Sequence, residues 1–459
     1  MAFLGRQQEL AFLEGKWLEK ASQFIVLWGK RRVGKTELIK QFCWEKPHVY
    51  FLADSTNEKE QLRRFSYALA RFYKEPLLET RGFSDWEESF SFIRRKKKKF
   101  VMAIDEFPYL IVSNPAIPSL FQKAWDEYFH DGQIFLILLG SSISMMENEV
   151  LGYRSPLYGR RTGQWKLEPL PFNTAGLFRQ KKSFADRLAH FAVAGGIPAY
   201  WLQFENEKDF YHNLFHVLKK GEMLYDEVEF ILRAELREPR YYFALLQSIA
   251  LGKRKLGEIV NSCGLTLATA NKYLGILADL GIVEREIPVT EKMPLKTKKG
   301  LYRITEPFIA FWFKYVFPFR SELEMGLVKD VIERIRKEES LFLSSYYEVV
   351  AREILRGYSL DFSQMSLIGR WWSRNEEIDL CGINSDKNEL LLGEVKWTEK
   401  PVGTDIINDL KNKAVNIEWG NKNTSTHYCL FSKSAFTPDL MRLASKEKVI
   451  LFHGENRVL

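Results

Sequence analysis

The chain has 459 residues, more than one hydrophobic core usually organises, so three or four domains of ordinary size are expected. With 46% hydrophobic and 27% charged residues it can bury substantial cores, which excludes a disordered or low-complexity chain. Lys and Arg total 67 against 59 Asp and Glu, a formal charge of +8, which permits a polyanionic partner without requiring one.

The opening MAFLGRQQEL is already charged and carries no basic-then-apolar leader, so a cytoplasmic address is expected. From Gln23 to Trp28, QFIVLW is a β-rich run that ends at GKRRVGKT, and ELIKQF beyond it has helical periodicity. Gly29, Gly34, Lys35 and Thr36 complete G-x-x-x-x-G-K-[ST], a phosphate-binding loop. Its glycines let backbone N–H groups wrap a β-phosphate while the helix N-terminus adds positive potential. The binding set is Gly29, Lys30, Arg31, Arg32, Val33, Gly34, Lys35, Thr36 and Glu37. Lys35 would reach the β- and γ-phosphates, and Thr36 would hold magnesium.

The later runs HVYFLAD, FVMAID and IFLILLG are continuous rather than alternating, as expected of strands covered on both faces. Helical stretches separate them, so an α/β domain with a mostly parallel sheet is expected over residues 1–170. FVMAIDEF places Asp105 and Glu106 at the end of a buried strand: Asp105 would hold the metal's water shell, and Glu106 would activate the attacking water. In sequence HVYFLAD falls between loop and acids, as in NTPases that carry a catalytic Glu beside the metal Asp. After IFLILLG, Ser141 and Ser142 are either sensors of the γ-phosphate or simple turn residues. Arg160 and Arg161 in LYGRR are either arginine fingers or surface charges. The run RRKKKK, Arg94 to Lys99, reads as a solvated helix end.

LWGKRRVGKTELI, VMAIDEFPYL, ILLGSSISMM, SPLYGRRTGQWKLEPL and GGIPAYW span roughly Phe3 to Trp201, and together they resemble the archaeal ATPase family of AAA-like P-loop NTPases. The resemblance implies ATP as the nucleotide. It favours Arg160 and Arg161 as arginine residues acting in cis or in trans, which hints at a homo-oligomer, and it makes Gly195 and Gly196 the start of a helical lid.

Residues 171–235 are helical in pattern, the expected lid. His212 and His216 there are spaced one helical turn apart but lack the Glu of a metalloprotease motif, so they read as ordinary helix residues. Over 236–320 come YYFALLQSIALG, KLGEIVNSCG and TLATANKYLGILADLG, then IVEREIPV, the basic loop TEKMPLKTKKG and LYRIT, the order of a winged helix-turn-helix. Leu267, Tyr273, Leu274, Leu277 and Leu280 would pack inward. Thr266, Thr269, Asn271 and Lys272, with Lys292, Lys296, Lys298 and Lys299 on the wing, would face DNA or, in the other use of such a domain, a protein. FIAFWFKYVFPF reads as a packing helix; with Lys314 inside it and fewer than the ~18 apolar residues of a spanning helix, no membrane partner is expected. Cys43, Cys263, Cys381 and Cys429 show no C-x-x-C spacing and read as reduced packing residues.

The last segment, 321–459, alternates helix and strand as a separate α/β unit. EEIDLCGIN, SDKN and ELLLGEVKW read as two strands joined by a tight turn, and a register with Asn384 facing Glu389 sets Asp379 opposite Glu394. Opposed acids on a buried sheet are costly, and a divalent cation between them relieves the cost. Lys396, on the same face as Glu394, would position or deprotonate a water and offset phosphorane charge. The competing reading is a hairpin whose polar edge faces solvent. EID followed by GEVKW resembles the PD-(D/E)XK nuclease superfamily, in the form of the C-terminal domain found on archaeal ATPases. That resemblance implies Asp379 and Glu394 as metal ligands, Lys396 as the catalytic lysine, and Glu348 in YYEVVARE as the helical acid completing a magnesium site, with manganese as substitute. The expected fold is therefore a P-loop α/β sheet with lid, winged helix and a C-terminal α/β restriction-endonuclease-like domain. The expected function is a DNA-associated ATPase whose nucleotide state controls a nuclease-like domain; the alternatives are a STAND-type switch that binds nucleic acid without cleaving it, and a regulator using only the winged helix.

Overall fold

The computed structural model describes residues 3–236, 238–358, 364–374 and 376–459. They divide into two compact units, Met1–Leu170 with Ile197–Ala199, and Pro171–Gly196 with Tyr200–Leu459.

The first unit is built on five parallel strands: β1 Gln23–Trp28, β2 His48–Leu52, β3 Phe100–Asp105, β4 Ile134–Gly140 and β5 Gly163–Lys166. Every residue of β1, β3 and β4 is buried, which explains why their apolar residues run on without alternation: a strand covered on both faces has no solvent side for polar residues to mark. The spatial order is β2-β3-β4-β1-β5. HVYFLAD therefore lies between loop and acids only along the chain. In space β4 separates β1 from β3, while β2 forms the edge and exposes His48 and Leu52. The consequence is functional, because ligands of open parallel sheets sit at the carboxyl ends of the strands. Ser141, just past β4, is thereby set between the loop after β1 and the acids after β3. An aromatic-rich core with Phe65, Trp86, Phe90, Phe107, Phe121 and Phe129 holds the helices on the sheet. The basic run closes the helix Trp86–Lys96: Arg94 donates to the Glu127 carbonyl, Lys96 pairs with Glu75, and Lys99 donates to the Trp17 carbonyl at 2.7 Å.

The second unit gathers the stretches expected as lid, winged helix and C-terminal domain into one body. Its first segment is tied to its last: the Phe172 amide donates to Glu353 at 2.8 Å and Arg187 pairs with Glu455, while within the last segment the Tyr347 hydroxyl donates to the Gly454 carbonyl at 2.9 Å. Helices Pro239–Ala250, Leu256–Cys263 and Leu267–Asp279 are followed by the antiparallel pair β6 Val283–Glu286 and β7 Leu301–Ile304. Ala270, Leu274 and Leu277 of the third helix face inward. Leu267 does not; it is 57% exposed, because the inward stripe begins a turn later at Ala270. Thr266, Asn271 and Lys272 are exposed, and the loop between β6 and β7 exposes Lys292, Lys296, Lys298 and Lys299, the last paired with Glu291. The six remaining strands are β8 Leu367–Ser373, β9 Glu376–Asn384, β10 Glu389–Lys396, β11 Ser425–Ser432, β12 Ile450–His453 and β13 Asn456–Arg457, ordered β13-β12-β11-β10-β9-β8. Helix Val328–Gly357 packs against β8, β9 and β10. All four cysteines are free thiols. Among the described residues no helix is long and apolar enough to cross a membrane.

Candidate functional site

At the end of β1 the chain turns through Gly29, φ 152°, where a Cβ would lie 2.4 Å from the Leu167 carbonyl oxygen. Backbone cannot yield as a flexible side chain can, so Gly29→Ala is expected to distort the loop and weaken nucleotide binding at least about tenfold, measured by titration with a fluorescent ATP analogue. Gly34, φ 100°, admits the chain to the helix Lys35–Cys43. Val33 is fully buried, and its carbonyl accepts a 2.8 Å bond from Arg6, which pins the loop from behind. Arg31 and Arg32 are exposed, and Glu37 pairs with Lys40 on the helix surface.

Lys35 is buried, and its ammonium donates to the carbonyls of Gly29 at 2.9 Å and Lys30 at 3.0 Å. These neutral acceptors hold the cation where a phosphate would outcompete them. The Thr36 hydroxyl donates to Asp105 Oδ2 at 2.6 Å, and the Tyr50 hydroxyl donates to the same oxygen at 2.6 Å. Burial and the neighbouring Asp105 push the Tyr50 hydroxyl up, so it stays a donor. Asp105 is 1% exposed, and its other oxygen accepts the Glu106 amide at 2.9 Å. Glu106 takes the left-handed conformation, φ 54°. Its carboxylate is gripped at both oxygens by Ser141, through the hydroxyl at Oε1 and the amide at Oε2, the latter at 3.2 Å. Ser142 instead faces Ser144. The wrapped loop, Lys35 and the Thr36–Asp105 pair fit a nucleoside triphosphate with magnesium.

The structure does not bring Arg160 and Arg161 to this site. Thr162, directly after them, bonds to Phe24 near the start of β1, whereas the loop follows its far end at Trp28. About four strand residues at ~3.3 Å each separate the two ends, beyond the reach of a guanidinium on top of that turn. Arg160 pairs with Asp126 at 2.9 Å, and Arg161 donates to the Leu151 carbonyl at 3.0 Å. In this arrangement neither guanidinium reaches the loop of its own chain.

In the second unit β9 and β10 pair antiparallel across a turn at residues 385–388, with Asn384 facing Glu389 and Leu380 facing Gly393. One step further in this register sets Asp379 abreast of Glu394. On its other side β9 meets β8 with a register shift: Cys381 faces Gly369 and Ile378 faces Trp371, leaving Asp379 and Leu380 together opposite Arg370. Such a bulge bends a strand and re-aims its side chains. Asp379 accepts the Val395 amide at 3.0 Å, and its carbonyl accepts Arg352 at 3.2 Å. Lys396 donates to Glu394 Oε2 at 2.7 Å, and Lys413, from the helix Thr404–Ala414, to Oε1 at 2.8 Å. Glu348 lies 3.6 Å from Arg370, which also pairs with Glu377 at 2.9 Å.

Burial, with the charges of Glu348 and Glu394, pushes the Asp379 carboxyl up to about 7. Burial would raise Glu394 too, but Lys396 and Lys413 outweigh it and hold that carboxyl below its ordinary range. Burial would lower Lys396, yet Glu394, Asp379 and Glu348 raise it, so it stays an ammonium. Two neighbouring acids are thus pushed in opposite directions, Asp379 toward the neutral form and Glu394 toward the ionised one. Since the folded Asp379 pKa is the raised one, its protonated form favours folding at low pH, and that contribution is lost as pH rises from about 4 through about 7. A divalent cation taken up between these acids would have to displace this proton. Magnesium affinity at this site is therefore expected to tighten about tenfold per unit of pH below 7 and to level off above it. Calorimetry in buffers of different ionisation enthalpy should detect about one proton released, and none in Asp379→Asn.

The oxygen donors of Asp379, Glu394 and Glu348 suit a hard cation such as magnesium or manganese. As placed, they do not close into a ready ligand cage, because Arg370 draws Glu348 and the two lysines draw Glu394. Among the described residues a single trio of His, Cys, Asp or Glu side chains has all its ligand atoms within 4.8 Å of one another, and it is Glu205, His212 and His216. The helical spacing of the two histidines was visible in the sequence; their convergence with Glu205 was not. Arg6, Tyr50, Arg352, Arg370 and Lys413 were likewise missed. Each reaches its site across a distance in sequence that no local pattern signals.

A family model described as an ATPase domain predominantly from Archaea matches residues 3–220, and one described as archaeal and bacterial proteins of unknown function matches residues 312–415. An uncharacterized protein of Methanocaldococcus jannaschii is 38% identical over 402 residues, covering 86% of this chain and 88% of the relative. The chain belongs to this family of archaeal ATPases. An uncharacterized ATP-binding protein of the same organism is 54% identical over 44 residues, 10% of this chain and 75% of that one. A Walker-type ATPase of Pyrococcus abyssi superposes with a TM-score of 0.51 at 21% identity, covering 68% of this chain and 96% of the other, which shows a shared P-loop ATPase fold. Within the family frame, Gly29 to Glu37, Asp105, Glu106 and Ser141 fall inside the ATPase match, and Glu348, Asp379, Glu394, Lys396 and Lys413 inside the second match.

Proposed function

We propose that this cytoplasmic archaeal-type ATPase hydrolyses ATP at the Gly29–Glu37 loop, and that its nucleotide state governs a metal-dependent, nuclease-like site acting on DNA. The hydrolytic half is supported above all by the grip of Ser141 on Glu106, one residue from the metal-facing Asp105. Magnesium, when bound, withdraws charge from the phosphate oxygens. The protein does the rest. The loop amides and Lys35 orient the β- and γ-phosphates, Thr36 and Asp105 hold the metal's ligand sphere, and Glu106 accepts the proton of the attacking water. Ser141 links the γ-phosphate to Glu106: a phosphate oxygen accepting the Ser141 hydroxyl releases the carboxylate toward water. Arg160 and Arg161 would act only on a neighbouring copy, after leaving Asp126 and the Leu151 carbonyl.

The nuclease half rests on Asp379, Glu394 and Lys396 at a bulged sheet. Lys396, kept as an ammonium, would position the water and offset charge on the phosphorane rather than serve as base. Three helices followed by a two-stranded pair with exposed lysines support a winged-helix reading with DNA as partner. So does a cavity of about 410 Å³ that Glu348 shares with Arg254, Arg303, Arg352 and Arg370, suited to a phosphodiester backbone. One observation favours the non-cleaving STAND-type alternative: both oxygens of Glu394 are already held by lysines. Incubating labelled DNA with the protein and magnesium or manganese, alongside Lys396→Ala, separates the two. Equal product from variant and parent would discard catalysis at this site.

A further inference from the structure

The helix Phe210–Val217 starts behind Asp209, whose carboxylate caps the His212 amide at 2.8 Å. His212 and His216 follow one turn apart, so their rings project from one face. Their Nε2 atoms stand 3.1 Å apart. Two ligands at about 2.0–2.1 Å from a tetrahedral ion lie roughly 3.3 Å from each other, so the imidazoles already hold nearly the separation a metal asks for.

The third donor is also held in place by its surroundings. The Glu205 amide donates to Asn213 Oδ1 at 2.8 Å, and its carbonyl accepts Asn213 Nδ2 at 3.1 Å and Arg179 at 2.9 Å. Asn213 is 1% exposed and sits on the same helix between the two histidines, so the helix that carries the imidazoles also clamps the backbone of the carboxylate. Arg179 is itself fixed by Asp186 at 2.9 Å. Glu205 thus needs only side-chain torsions to complete the set. All three ligand atoms already lie within 4.8 Å of one another.

We propose that Glu205, His212 and His216 form a site for a borderline divalent transition ion, zinc first among them. Two imidazoles and one carboxylate are ligands of that class, in contrast to the all-oxygen acids of the nuclease-like site, and three protein ligands leave a fourth position for water or a partner's side chain. Binding converts both Nε2 atoms to acceptors, so the proton now shared between the rings moves to an Nδ1. This site is independent of the ATPase and nuclease readings, and its failure would leave both standing.

The test uses the full chain stripped with chelator and titrated with zinc against a chromophoric competitor. The backgrounds are the parent, His212→Ala, His216→Ala, Glu205→Gln and the control Asp379→Asn. The parent is expected to bind one equivalent more than the histidine variants, and the control to keep it. Either histidine replacement should weaken this equivalent at least about a hundredfold, and Glu205→Gln about tenfold. Both histidines are only half-buried, so the replacements leave the helix intact; His216→Cys, which supplies a thiolate, should retain the ion and, with cobalt, give an intense tetrahedral absorption band. The same stoichiometry and affinity in parent and histidine variants would overturn the proposal, as would an equivalent lost in Asp379→Asn instead.

Discussion

Replacing Lys35 by alanine is expected to lower ATP turnover by about two to three orders of magnitude while leaving the fold intact. The ammonium donates to two loop carbonyls, and these regain water at the mouth of the loop once the side chain is removed. The folded protein therefore loses little, whereas the β- and γ-phosphates lose a cation inside a poorly solvated site. Glu106→Gln should behave differently. Glutamine can still accept the Ser141 amide through its carbonyl oxygen, so nucleotide affinity should stay within about threefold while turnover collapses, the signature of an interaction needed only in the transition state. Phosphate release and nucleotide titration on both variants test this directly. An unchanged hydrolysis rate in Lys35→Ala would remove the loop from the function.

What could be read in advance follows from which forces act locally. Strands buried on both faces run apolar without alternation, as β1, β3 and β4 do between the Gln23 that opens β1 and the Asp105 that closes β3; a glycine-lysine loop between strand and helix has few other uses. The register of β9 on β10 was legible because the turn fixes it, and Asn384 faces Glu389 as expected. The order of parallel strands leaves no such trace. That β4 stands between β1 and β3 depends on crossovers, and so did the position of Ser141 beside Glu106. Arg160 and Arg161 failed as cis groups for the same reason, since the direction of β5 puts what precedes it at the wrong end of the sheet. The bulge opposite Arg370 and the second lysine on Glu394 are tertiary pairings, hidden from period and composition alike. Leu267 shows the limit of helical periodicity: the pattern gives a face, but not where along the helix packing begins.

Lys396→Ala is expected to reduce metal-dependent DNA cleavage at least about a hundredfold with DNA affinity nearly unchanged, and comparison with Lys413→Ala shows why. Both ammonium groups bond Glu394, at 2.7 and 2.8 Å, so either can keep that buried carboxylate ionised when the other is gone. They differ in placement. Lys396 lies two residues beyond Glu394 on β10 and shares its face, which carries its nitrogen toward Asp379 and Glu348, the acids that raise its pKa. Lys413 approaches from the helix Thr404–Ala414 and is held there by Glu394. Loss of Lys413 should therefore cost stability and at most about tenfold in cleavage, and loss of Lys396 should cost cleavage first. Labelled-strand assays with matched denaturation curves separate the two outcomes. Equal cleavage losses in both variants would make Lys396 a support for Glu394 rather than a catalytic group, and the electrostatic role assigned to it would have to be withdrawn.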